Sequence, residues 1–121
     1  MTRRNDKSNP RLAELIRLLK QTSRENEVEI WGDIARRLEK SRKNYAEVNV
    51  SKINRYAQEG ETLIVPGKVL GSGVVEAGVT VAALSFSDAA ISKITGANGQ
   101  CISIEQLLSL NPKGSRTRIL R

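Results

Sequence analysis

Residues 62–86 read TLIVPGKVLGSGVVEAGVTVAALSF, and they decide the fold class. Two apolar, β-branched runs, 62–70 and 79–86, flank a glycine-rich break, the pattern of short buried strands bounded by turn residues. Pro66-Gly67 interrupts the first run, which predicts a tight turn carrying Lys68 between two strands. Downstream, Ser87 and Asp88 open DAAISKIT as a helix that Gly96 and the GANGQ turn end. Cys101-Ile102 reads as a very short strand. Ser103, followed by Glu105 and Gln106, starts SIEQLLSL as a helix that Asn111-Pro112 stops, and RTRILR alternates as a terminal strand. Strand alternating with helix in this way specifies an α/β body.

Upstream of Gly60 the period is helical. Asn9 can cap a helix with Pro10 at its first position, and Leu12, Leu15, Ile16 and Leu19 form one apolar stripe along RLAELIRLLKQT. After the polar break SRENE, Ile30, Trp31, Ile34, Ala35 and Leu38 repeat the spacing over 28–40, which predicts an antiparallel helix pair. A short third helix is expected over 52–59, capped by Ser51 and closed by Gly60, with Val50, Ile53 and Tyr56 or Ala57 turned inward. The expected organisation is one domain over 1–121: a basic tail at 1–8 that can be disordered, a helical part at 9–60 and an α/β body at 61–121 ending in a basic segment.

Charge is distributed unevenly along the 121 residues, whose formal net charge is +7. Residues 1–50 carry 12 Lys+Arg and 8 Asp+Glu, residues 51–110 carry 4 and 5, and residues 111–121 carry 4 and 0. A neutral aliphatic body between two basic ends suits edges that face a polyanion. Ordinary solubilising charge, or cations placed at a helix C-terminus for its dipole, would produce RRLEKSRK (36–43) as well.

The residue inventory excludes several chemistries. There is no His, and Cys101 is the only Cys, so neither a Cys-His or Ser-His-Asp set nor a Cys/His metal site can be built. Beside Ile102, Cys101 reads as a small buried hydrophobe in a reducing compartment. No apolar run is long enough for a membrane helix, and no h-region follows the charged start, so a cytoplasmic protein without membrane association is expected. The segment PGKVLGSGVVEAG fails as a Walker loop, because position 62 is Thr and Val69 follows Lys68, and fails as a dinucleotide fingerprint at Glu76. No cofactor and no small-molecule substrate are expected. The segment can instead present Lys68 to a phosphate, or serve as a plain hairpin turn. Tyr45 and Tyr56 lie in the cation-rich stretch KSRKNYAEVNVSKINRY, suited to stacking an unpaired base or, for Tyr56 equally, to the core. The closing NPKGSRTR has few apolar anchors and is expected to order on a partner.

The segments NPRLAELIRLL, VNVSKINRYAQEGETLIVPGKVLGSG, VTVAALSFS and NPKGSRTRIL, in that order over residues 9–120, resemble the archaeal and eukaryotic ribosomal protein family L-eighteen-e, a fold relative of bacterial ribosomal protein L-fifteen. That resemblance implies an irregular, superhelical strand-strand-helix α/β body behind a helical N-terminal part. It also implies a structural, non-enzymatic role in the large ribosomal subunit, bound to ribosomal RNA beside proteins such as the L-four and L-fifteen types. The length matches the short archaeal form. Matched motifs place Lys52, Arg55, Lys68 and Lys113 as RNA-facing residues, and the charge map adds Arg3, Arg4, Lys7, Lys40, Arg42, Lys43, Arg116 and Arg118. A helix-turn-helix DNA-binding protein built on the first two helices is the alternative, disfavoured because SRENE is acidic and long for such a turn.

Overall fold

The computed structural model describes residues 9–76 and 78–121. Among these residues, five helices and five strands follow in the order α1 (Pro10–Asn26), α2 (Glu29–Leu38), β1 (Ala46–Asn49), α3 (Val50–Tyr56), β2 (Thr62–Leu70), β3 (Thr80–Phe86), α4 (Asp88–Gly96), β4 (Gln100–Ser103), α5 (Ile104–Leu110) and β5 (Thr117–Ile119). A 3-10 turn, Arg42–Asn44, precedes β1. The α/β expectation holds, and every strand pairing is parallel.

β2 and β3 form the centre of the sheet, with β4 beyond β3. The other side of β2 is shared by two short strands. β5 pairs with Thr62–Ile64, while β1 pairs with Gly67–Leu70, so Val65 and Pro66 fall in the gap between them. A proline has no N–H to give a ladder, and here it occupies the stretch where neither short strand asks for one. On the β3 side the register slips between Val65 and Lys68, a bulge that absorbs Pro66 and Gly67. The expected turn at Pro66-Gly67 is therefore absent. The chain passes straight through as one nine-residue strand, and Lys68 stands exposed on it between buried Gly67 and Val69.

Alternation of side chains along the central strands makes two cores. Ile64 and Ala82 face Leu15, Leu19, Trp31, Ile34, Leu38, Ile104 and Leu107 of α1, α2 and α5. Leu63, Val65, Val81 and Ala83 face Val50 and Ile53 of α3 and Ala90 and Ile94 of α4. Purely parallel sheets need cover on both faces, which explains the apolar reading of both runs.

The helices depart from expectation at their ends. α1 runs through SREN to Asn26, because Gln21 Nε2 donates to Glu25 (3.0 Å) and Asn26 Nδ2 to the Thr22 carbonyl (3.1 Å), and it stops at Glu27 in the left-handed region (φ 56°). The link to α2 is thus two residues long. Asn9, Ser87 and Ser103 cap α1, α4 and α5 as expected, the last in a reciprocal capping box with Gln106. Ser51 is not a cap. α3 begins two residues earlier than expected, straight from β1, and ends at Tyr56, and the Asn49 side chain accepts from the Ser72 amide instead (3.1 Å). Strand β1 lies inside the stretch expected to be helical, and pairing with β2 makes it a strand.

The C-terminal segment is held by the protein's own polar groups. Trp31, fully buried, donates Nε1–H to the Pro112 carbonyl (2.8 Å), and Asn111 bonds both the amide and the carbonyl of Ser115. The expectation that NPKGSRTR orders only on a partner is corrected by these contacts.

Candidate functional site

One groove of about 600 Å³ collects cations from three distant segments: Arg11 at the start of α1, Arg42 and Lys43 of the 3-10 turn, and Lys68 of β2. Half-buried Leu84 and Tyr45 line its floor with the edge of Leu12, above the fully buried Leu15, and Ser85, Glu47 and Asn9 add polar groups. The close approach that forms it depends on Gly67. A Cβ there would lie 1.9 Å from the Ala46 carbonyl oxygen, so only glycine lets β1 and the preceding 3-10 turn come this near β2. Tyr45 is anchored by its hydroxyl, which donates to the Leu38 carbonyl at 2.6 Å.

The cations in the groove differ in how they are held. Arg11 is tied in a fork to Glu105 through Nε (2.8 Å) and Nη2 (3.1 Å), which raises the guanidinium pKa and lowers that of the carboxyl. Its charge is largely spoken for. Lys43 and Lys68 are exposed and make no hydrogen bond or ion pair among the described residues.

The remaining expected positions fall elsewhere. Arg3, Arg4 and Lys7 lie outside the described residues. Lys40 lines a second concavity of about 390 Å³ with Arg37, Asn44 and Arg121. Arg55 and Lys113 are exposed and unpaired among the described residues. Three further residues point inward to the protein itself. Arg116 donates to the carbonyls of Gly60 (3.0 Å) and Glu59 (3.1 Å). Arg118 donates to the Tyr56 carbonyl and pairs with Glu61 (3.2 Å), and Lys52 Nζ reaches the carbonyl of Arg121. Arg11, Arg37, Glu47 and Arg121 were not singled out in the sequence. Nothing in their local context marks them, since only the strand register brings Glu47 beside Lys68.

Chemistry beyond charge is sparse. No group of three or more His, Cys, Asp or Glu able to hold a metal exists among the described residues, and no described helix is long and apolar enough to cross a membrane. Cys101 is half-buried, and burial pushes its thiol pKa up, away from the reactive thiolate. Tyr56 is 41% exposed rather than core.

Fold and surface together define a small basic α/β protein that presents cation-lined concavities on a rigid parallel sheet. Over residues 1–121 the sequence matches the family model described as ribosomal protein 60S L18 and 50S L18e, and the chain belongs to that family. It is 95% identical over the full length of both chains to the large ribosomal subunit protein eL18 of Methanospirillum hungatei, and 68% identical, again over the full length of both, to that of Methanoregula boonei. With the eL18 protein of Haloarcula marismortui it shares 53% identity over 115 residues, 95% of this chain and 98% of that one. The resemblance read from the motifs is confirmed, and these relatives are archaeal. The chain is a ribosomal protein of the large subunit, resident in the cytoplasmic ribosome, and not an enzyme.

Proposed function

We propose that this protein holds large-subunit ribosomal RNA by neutralising phosphates, with the groove of Arg42, Lys43 and Lys68 as its principal contact. The carrying observation is the convergence of these cations, from segments more than 20 residues apart in sequence, on one concavity where Lys43 and Lys68 have no protein partner among the described residues. Lys40, Arg55 and Lys113, together with Arg3, Arg4 and Lys7 of the basic start, extend the phosphate-facing set. Recognition is by charge and shape, with few base contacts. The two cores share β2 and β3, so the chain enters the subunit as one domain. Neighbouring large-subunit proteins, including the L-four and L-fifteen types, complete the partner set that the resemblance implies.

The test is the salt dependence of binding to protein-free large-subunit RNA. Neutralising ~5 to 8 phosphates gives a log-log slope of roughly −4 to −7. The double variant Lys43→Gln, Lys68→Gln is expected to make it shallower by about one unit per lost contact and to incorporate poorly into subunits. A flat salt profile for the unaltered protein, or an unchanged slope in the variant, contradicts this function for the groove.

A further inference from the structure

Glu47 is the anomaly of the groove. It is exposed, stands on β1 in register with Lys68, and forms no ion pair among the described residues. A carboxylate repels the phosphates that Lys43 and Lys68 attract, so in a purely phosphate-binding groove it only weakens the site. The floor is also wrong for a backbone alone, because half-buried Leu84, with the edge of Leu12, offers an apolar surface with no hydrogen-bonding groups for phosphate or sugar. Apolar floor, flanking tyrosine, cationic rim and one carboxylate are the parts needed to hold an unstacked nucleotide, whose base is flat and apolar on its faces and polar on its edge.

Building on the phosphate-binding role proposed above, we infer that the groove takes a single extruded nucleotide and that Glu47 selects guanine. The base lies on Leu84 and the edge of Leu12 beside Tyr45, with its phosphates at Lys43 and Lys68. Guanine alone presents two adjacent N–H donors, N1–H and the N2 amino group, on its Watson–Crick edge, which a carboxylate can accept as a pair. Adenine and cytosine offer one amino group there and uracil one imide N–H. The volume of about 600 Å³ leaves room for a purine, and the anchored Tyr45 and the bulged β2 keep the walls fixed.

Full-length protein titrated with the pentaribonucleotides UUGUU, UUAUU, UUCUU and UUUUU, followed by amide chemical shifts, tests the inference. Saturable shifts centred on Glu47, Lys68 and Ser85 are expected, with UUGUU bound at least about five-fold more tightly than the others, the lower end of what a good base-edge pairing supplies. Glu47→Gln is expected to erase that preference while the spectrum stays folded and the salt slope on ribosomal RNA is kept. Equal affinity for the four oligomers, no saturable binding of any, or a Glu47→Gln variant that binds all four more tightly overturns it. The last outcome shows Glu47 to be a mere repulsive charge. The two readings fail separately: a steep salt slope on ribosomal RNA without guanine preference removes this inference and leaves phosphate binding standing, whereas a flat slope removes phosphate binding first.

Discussion

Gly67 carries more of this structure than any charged residue does. Its missing Cβ lets the Ala46 carbonyl approach, and the neighbouring Pro66 sits where neither β1 nor β5 needs a donor. Gly67→Ala puts a methyl 1.9 Å from that carbonyl, and because the obstacle is backbone rather than a flexible side chain, β1 has to move. A destabilisation of roughly 1–3 kcal/mol is expected, as for other overpacking changes, measured as a lower midpoint of urea unfolding. RNA affinity should fall as well, since moving β1 displaces Glu47 and the preceding Lys43 from Lys68. A midpoint within about 0.5 kcal/mol of the unaltered protein would show that β1 is loosely attached. The sequence announced Pro66-Gly67 as special but suggested the wrong reason. The same dipeptide serves a turn or a bulge, and only the two partners on one edge of β2 distinguish them.

Among the elements, α1 is tied to α5, its neighbour on the same face of the sheet, by one exposed fork from Arg11 to Glu105. Glu105 holds its carboxyl pKa below the usual value, chiefly through the hydrogen bonds from Arg11. A carboxyl whose folded pKa lies below its unfolded one contributes stability above the ordinary carboxylate range, and loses it as pH falls through the folded pKa. Side chains 50% and 30% exposed make this a surface pair, so Glu105→Gln is expected to cost no more than about 1 kcal/mol at pH 7. The gap between variant and parent unfolding midpoints should close on acidification towards pH 3; a gap that widens instead would contradict the sign. The stripes themselves are a stronger bond. Leu15 and Ile34 are fully buried, and truncating either to Ala should cost ~2 to 5 kcal/mol. A near-zero change at both sites would contradict the core assignment. These helices were legible because a 3.6-residue period survives on one face, and α4 and α5 because serine caps mark their starts. β1 was not legible: Ala46–Asn49 is four residues with one buried side chain, too short for a period, and its strand character comes entirely from pairing with β2.

On the scale of the whole molecule, the basic residues divide into two populations that composition cannot separate. The runs RRLEKSRK and KGSRTR look alike in sequence, yet Arg116 and Arg118 spend their donors on the carbonyls of Glu59, Gly60 and Tyr56, fastening β5 to the end of α3 and the start of β2. Among the described residues, Lys43 and Lys68 fasten nothing. Charge density therefore says where cations are, and only the partners of each say which remain available to a polyanion. This division predicts opposite phenotypes for two double variants. Arg116→Gln with Arg118→Gln removes charged donors from three carbonyls, each such bond being worth about 1.5–3 kcal/mol at most and less where solvent reaches it. The unfolding midpoint should drop by on the order of 1–2 kcal/mol, while the salt slope of RNA binding, compared at a temperature where both proteins are folded, stays within about half a unit of the parent's. Lys43→Gln with Lys68→Gln should do the reverse, leaving the midpoint within about 0.5 kcal/mol because exposed, unpaired side chains contribute little to stability, and flattening the slope by about two units. Finding the slope change in the C-terminal pair instead, with the midpoint unmoved, would mean that those arginines leave their carbonyls for phosphates on binding, and that the closing segment rather than the groove is the principal RNA contact.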